Sequence, residues 1–154
     1  MTVRHGVTGW GYEGRSVDEL VEDALHQGVV TVVDVRLNPI SRKRGLSKSA
    51  LSATLAVAGV EYVHLRALGN PKDNRAGFAE TSTAEGQHAR HRFQAEVLAT
   101  LDAQNALRTI EKLQCRGPVL LLCFEATEGC CHRALILDAL RARAQHDDRQ
   151  LVPA

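Results

Sequence analysis

Little net charge, few aromatic residues and no long apolar run mark this chain, and each shortage narrows what it does. Nineteen Lys and Arg residues stand against eighteen Asp and Glu residues, a balance of +1 over 154 positions. No overall field therefore draws the protein to nucleic acid or an anionic membrane, and any basic site must be local. Aromatic residues make up 4%, which leaves the core to Leu, Val and Ala and suits alternating helices and buried strands better than a sandwich. The longest apolar run is about six residues, against about 20 for a membrane span, so no membrane partner is expected. Residues 1–6 lack the apolar core of a signal peptide. The expected setting is cytoplasmic and reducing, with the four cysteines as free thiols. There is no internal repeat and no low-complexity tract. The length suits one buried core, read as a single α/β domain over residues 1–146 with a solvated tail over 147–154.

Against this background one stretch stands out. Gly117-Pro118 opens the apolar run Val119 to Phe124, which reads as a strand buried on both faces. Glu125, Cys130, Cys131, His132 and Arg133 follow in a short loop, and Ala134, Leu135, Ile136 and Leu137 then take helical spacing. No other stretch packs a carboxylate, two thiols, an imidazole and a guanidinium so closely.

Upstream, residues 3–10 read as a first strand ending in the glycine-rich turn Gly9 to Gly14, where glycine permits positive backbone angles or close ligand approach. Ser16 and Glu19 have capping-box spacing, and Val17, Leu20, Val21, Ala24 and Leu25 form one helical stripe. Residues 29–36 are a β-branched central strand with Asp34 and Arg36 at its end. The loop Arg42-Lys43-Arg44 precedes a helix from Ser47 to Gly59, with Ala50, Leu51, Thr54 and Leu55 inward, and residues 60–65 make a third strand ending at His64. This order predicts right-handed parallel crossovers and a three-layer α/β domain, a mainly parallel sheet flanked by helices. Residues 66–86 lack periodicity and read as a functional lid or a disordered loop, with residues 70–86 expected to be more mobile than their surroundings. Residues 87–115 read as helical, with Phe93, Val97 and Leu101 on one stripe, Leu107, Ile110 and Leu113 on another, and a break near Asp102 to Asn105.

In an open parallel sheet, ligands bind outside the carboxyl ends of the strands. Those ends carry Tyr12 and Glu13, Asp34 and Arg36, His64, and Glu125 to Arg133. The expected site therefore has Glu125 or Asp34 as base, Cys131 and His64 as further catalytic candidates, and Tyr12, Glu13, Arg36, Arg133, His132 and Arg42 as ligand contacts. Cys131 at a helix start suits a thiolate, and Arg133 beside it suits a bidentate grip on phosphate or carboxylate, with Glu125 as its counter-ion in the free protein. Trp10 and Tyr12 either stack a planar ligand or cover the core. Cys123, Cys130, Cys131 and His132 are soft ligand types, yet the adjacent positions 130, 131 and 132 fit poorly with the gaps of about two to four residues usual in structural zinc sites. No metal and no cofactor are expected.

Five ordered motifs resemble the bacterial and archaeal domain-of-unknown-function family 488. They are Gly11-Tyr12-Glu13-Gly14-Arg15-Ser16, Asp34-Val35-Arg36 with Asn38-Pro39 and Ser41-Arg42, Tyr62 to Leu65, Leu68-Gly69-Asn70-Pro71, and Cys123-Phe124-Glu125 with Cys131-His132-Arg133. The resemblance runs from Val7 to about Leu140 and implies a compact α/β domain of unassigned biochemistry. Trp10 replaces the aliphatic residue usual there, and Cys130 adds a thiol beside the expected one. The Asp-Val-Arg strand end also resembles rhodanese-like sulfurtransferases. Those enzymes and cysteine phosphatases place an arginine about six positions after the nucleophile, where this chain has Gly129 or Leu137, which counts against sulfur transfer and phosphatase chemistry.

The sequence thus points to an α/β domain with a pocket for an anionic small molecule or nucleotide, hydrolysis or group transfer being the reactions such a site suits. The second reading is a non-catalytic module that binds nucleic acid through Arg42, Lys43 and Arg44.

Overall fold

In the computed structural model, which describes residues 3–151, four parallel strands lie in the order β1, β4, β2, β3. The strands are β1 (Val7–Gly11), β2 (Thr31–Asp34), β3 (Glu61–His64) and β4 (Val119–Cys123). Helices α1 (Val17–His26) and α2 (Lys48–Val57) link the first three strands. Helices α3 (Arg75–Phe78), α4 (Ala84–Phe93) and α5 (Leu101–Gln114) lead to β4, and α6 (Arg133–Gln150) follows it.

Alternate strand residues face two separate cores. Val32, Leu120 and Leu122 pack with Leu20, Ala24, Leu51 and Leu55 of α1 and α2. Val33, Leu121 and Cys123 pack with Phe93, Leu107, Ile110, Ile136 and Leu140 of α4, α5 and α6. Strands β1 and β2 thus send their chain to one face, whereas β4, lying between them, sends it to the other. Their carboxyl ends must splay apart there, and an open α/β sheet offers its ligand crevice at such a switch of direction.

Local chemistry fixes the ends. Ser16 and Glu19 make the expected capping box, at 3.2 Å and 2.6 Å. Ser47 occupies the N-cap of α2 but spends its hydroxyl on the Ser41 backbone, which ties the cationic loop to the helix start. Leu25 and Ala50 are exposed, contrary to their assigned stripes, because each lies at the margin of a narrow buried face.

The long helix of the sequence reading is two helices. A π-helical turn, Gln94–Leu98, precedes a new start at Thr100, whose hydroxyl accepts from Ala103 N at 3.2 Å. The break therefore comes before Asp102, and the rotation it introduces turns Leu101 outward, 71% exposed, while Val97 stays inside. Residues 66–78 are not an open loop either. Short 3-10 turns (Arg66–Leu68 and Lys72–Asn74) and α3 bury Leu68 and Phe78, and Asn74 donates to Asn70 Oδ1 and Ala89 O. Phe78 and Leu68 supply the apolar anchors that a composition count over the whole segment hides; residues 79–85 remain exposed.

Helix α6 continues through Gln150, so the first half of the expected tail is helical; Arg4 donates to Asp147 at 2.7 Å and holds this end. Val152 to Ala154 and Met1 and Thr2 lie outside the described residues. Among the described residues, no helix is long and apolar enough to cross a membrane.

Candidate functional site

Asp34 ends β2 fully buried, so its charge requires partners. Arg36 supplies them as a fork, Nε to Oδ1 at 2.8 Å and Nη2 to Oδ2 at 2.6 Å, while Tyr62 Oη donates to Oδ2 at 2.5 Å and Arg36 N to Oδ1 at 3.1 Å. The remaining Arg36 amino group, Nη1, donates to Leu46 O at 2.8 Å and approaches Tyr12 Oη at 3.5 Å. Burial opposes the charge on Arg36, but the Asp34 bonds outweigh it and hold the guanidinium above its ordinary range. Burial and the Asp34 bond likewise push the Tyr62 hydroxyl up. Asp34 is thus saturated by four donors and is not available as a general base. That role assigned from sequence is corrected.

Arg133 is corrected in the same way. The residue is 1% exposed, and its side chain turns back from the start of α6, donating Nη1 to Glu125 O at 2.6 Å and Nη2 to Ala126 O at 3.3 Å. Among the described residues its Nε has no hydrogen-bond partner, Glu128 Oε1 lying 3.7 Å away. The guanidinium therefore clamps the loop after β4 through backbone carbonyls. It pairs neither with the Glu125 carboxylate nor with open solvent.

Gly11 completes that clamp. A Cβ there would come within 1.8 Å of Glu125 O, so the glycine admits the chain's own loop rather than a ligand. Glu13 fixes the same loop by accepting from Ala126 N at 3.0 Å.

The loop so held presents the sulfur cluster. Cys131 is extended, at φ −127° and ψ 145°, and His132 turns into the helix, at φ −62° and ψ −19°. The turn swings both side chains toward Cys123 at the end of β4. His132 Nδ1 lies 3.8 Å from Cys123 Sγ and 3.7 Å from Cys131 Sγ, and its Nε2 faces Val35 O at 2.9 Å. Phe93 packs edge-on against the ring, centroids 5.4 Å apart. The neighbouring Cys123 thiol, His132 and the Arg133 charge together overcome burial and draw Cys131 down to about 3. The Cys131 sulfur and burial push Cys123 up. The nearby second thiol, unreadable from spacing, is thus the first cause of the Cys131 shift that the helix start alone suggested.

Above the cluster opens a cavity of about 190 Å³, lined by Tyr12, Arg36, Asn70, Arg75, Cys123, Phe124, Glu125 and His132 among others. Glu125 sits beside Cys123, Oε2 to Sγ 3.6 Å, and burial raises its carboxyl above the usual range. Arg75 gives only its Nε to Asn70 O, at 3.3 Å, and among the described residues neither of its Nη groups has a partner. Phe124, 46% exposed, meets Tyr12 edge-on at 5.2 Å on the rim, and Ile40, 77% exposed, stands there too.

Of the residues proposed from sequence, the structure brings Tyr12, Arg36, Glu125 and His132 to this cavity, with Cys131 buried behind it. Asp34 lies beneath, bonded to Arg36. His64 does not line it, its Nε2 being 2.8 Å from Arg36 O. Arg42 is exposed on the loop away from it, and Lys43 is spent on the Tyr12 and Arg15 carbonyls, at 2.9 Å and 2.5 Å. Trp10 is buried against α1, donating to Asp23 at 2.7 Å, and covers the core. Arg75, Asn70, Phe124 and Cys123 were missed as site residues. Asn70-Pro71, the soft-ligand chemistry of Cys123 and the motif Cys123-Phe124-Glu125 were signals for three of them, and Arg75 had none.

A parallel α/β sheet with a thiol and imidazole cluster at its switch point is the class this geometry defines. The chain belongs to the family described as domain of unknown function DUF488, whose model matches residues 16–140. The glycine turn at 11–14 precedes that span, and the cluster falls within it. No curated protein and no solved structure matches the chain.

Proposed function

We propose that the cavity at the carboxyl edge binds an anionic small molecule carrying a planar group, and that hydrolysis or group transfer takes place at its floor. The observation that carries this reading is the convergence of three strand ends and Arg75 on one cavity. At about 190 Å³ it is smaller than the roughly 300–1,000 Å³ of pockets that enclose a whole drug-sized ligand. A phosphate- or carboxylate-sized head group fits inside, while a planar base or ring lies across Tyr12 and Phe124 at the rim. Arg75 is the cation with free donors, and Arg36, neutralised by Asp34, gives shape and at most one spare N–H. Glu125, its proton held more tightly because it is buried, suits general acid or base work against a bound group. A cytoplasmic setting, which keeps thiols reduced, suits the floor.

Nucleic-acid binding through the cationic loop has less support. Lys43 is committed to the backbone, which leaves Arg42 and Arg44 as an isolated exposed pair.

A thermal-shift screen of inorganic phosphate, carboxylates, nucleosides and nucleotides tests the proposal, since a ligand selective for the folded state raises its stability. Nucleotides are expected to raise the melting temperature more than phosphate or nucleoside alone. Arg75→Ala, at an exposed position, should abolish most of that gain while leaving the unliganded melting temperature unchanged. Equal shifts for wild type and Arg75→Ala, or no shift with any anion, overturn it.

A further inference from the structure

Three donor atoms of soft-ligand type, Cys123 Sγ, Cys131 Sγ and His132 Nδ1, lie within 4.8 Å of one another, all on buried residues. Spacing along the chain argued against a metal because positions 130, 131 and 132 are adjacent. The structure removes that objection by leaving Cys130 out and bringing in Cys123 from the strand.

The imidazole is oriented for coordination. A carbonyl only accepts, so the 2.9 Å contact with Val35 O places a hydrogen on Nε2, and in the neutral ring the Nδ1 lone pair is left facing both sulfurs. A metal-bound histidine is held by this kind of outer bond from its other nitrogen. Phe93 braces the ring. The distances agree as well. Tetrahedral zinc with Zn–S about 2.3 Å and Zn–N about 2.0–2.1 Å separates sulfur from nitrogen by about 3.6 Å. The two sulfurs stand 3.8 Å and 3.7 Å from Nδ1 and within 4.8 Å of each other; two sulfurs on tetrahedral zinc lie about 3.8 Å apart, so Nδ1 is placed to within a few tenths of an ångström and the sulfurs close by up to about 1 Å as the metal enters.

We infer that Cys123, Cys131 and His132 form a zinc site whose fourth position faces the cavity. Cys123 and His132 line that cavity together with Glu125, whereas Cys131 closes the far side. Three protein ligands with an open position is the arrangement of catalytic rather than structural zinc. There a bound water or ligand anion would meet the metal, with the Glu125 side chain beside it, Oε2 lying 3.6 Å from Cys123 Sγ. Metal entry displaces whatever protons the two thiols and Nδ1 carry, leaving two thiolates and a neutral imidazole on the ion. Only the use of the fourth position rests on the ligand-pocket reading above; metal binding stands on the three donors alone.

The test is to strip the full reduced chain of metal, titrate it with Co²⁺, and then displace the cobalt with Zn²⁺. About one equivalent should bind with the intense visible bands of a tetrahedral site and near-ultraviolet thiolate charge transfer, and zinc should bleach both. Cys123→Ser, Cys131→Ser and His132→Ala should each lose the spectrum, while Cys130→Ser and Cys115→Ser keep it. Absence of thiolate bands in the folded wild type overturns the site, as does loss of the spectrum in Cys130→Ser. Because the wild-type spectrum decides by itself, a ligand variant that fails to fold does not rescue the proposal. Nucleotide binding that persists without any metal binding sinks the zinc site alone, and metal binding without any anion binding sinks the pocket alone.

Discussion

Two buried polar clusters share the carboxyl edge of this sheet, and they are built on opposite terms. Around Asp34, both carboxylate oxygens are matched to donors at hydrogen-bond length, from Arg36 Nε at 2.8 Å to Tyr62 Oη at 2.5 Å. Around His132, the contacts to sulfur are long and soft, 3.7 Å and 3.8 Å, and Cys131, drawn down to about 3 by the Cys123 thiol, His132 and Arg133, sits there. A saturated network rigidifies the strand ends and the loop that packs on them. A cluster with unspent lone pairs beside a cavity is where chemistry can enter. Both would count as polar groups at the right edge of the sheet; only their partners separate architecture from function.

Breaking the saturated cluster should have the largest effect. Asp34→Ala leaves Arg36 charged, buried and unpaired, which costs about 3–5 kcal/mol, read as a lower denaturation midpoint. A loss under 1 kcal/mol would mean that the network is not holding the fold. Arg133→Met comes next. It keeps the apolar stem and frees the Glu125 and Ala126 carbonyls, at a cost of about 2–3 kcal/mol by equilibrium denaturation. Arg133→Lys should lose a large part of the same contribution, because one ammonium cannot reproduce a fork shared between two carbonyls. If both variants keep wild-type stability, Arg133 is not the clamp described.

The sequence shows why Arg133 was misread. Hydrophobic periodicity and strand-end position identified all four strands, the parallel sheet and the edge where Tyr12, Arg36, Glu125 and His132 gather. Residue type could not say whether a buried guanidinium faces a ligand or its own backbone, since that depends on loop geometry long after the strand ends. The same limit hid Arg75, whose exposed fork comes from α3, a helix too short to leave a periodic signal. Leu101 failed for a different reason. A π-helical turn shifts the phase of a stripe without changing its composition.

A smaller effect tests the Tyr62 contribution to the saturated cluster. Tyr62→Phe removes one donor from the Asp34 carboxylate and should cost about 1–2 kcal/mol. The folded hydroxyl titrates above its unfolded value, because of burial and the Asp34 bond. Its contribution is therefore fully present below the unfolded tyrosine pKa of about 10 and is lost as pH rises through the folded value. Denaturation from pH 7 to 11 should show a constant gap between wild type and Tyr62→Phe at first, narrowing only at the alkaline end. A gap that narrows below pH 9 would assign the difference to another group.

The smallest expected effect concerns Cys130, the thiol that lies next to the soft cluster in sequence but outside it in space. Its Sγ lies 3.7 Å from Ala79 O, and the residue is half-buried beside a second cavity that shares Arg75 and Glu125. Serine can make the same contact with a stronger donor and little change of volume, so Cys130→Ser should alter stability by no more than about 0.5 kcal/mol. Thiol labelling of the reduced, metal-free native protein then separates the four cysteines by access. Cys115, exposed on α5, should react first and Cys130 next, whereas Cys123 and Cys131 should wait for unfolding. Low pKa does not reverse that order, because a buried thiolate still has to be reached by the reagent. Labelling of Cys131 before Cys130 would show that the loop after β4 opens in the native state, and the contrast between a clamped loop and a free neighbouring thiol would fail.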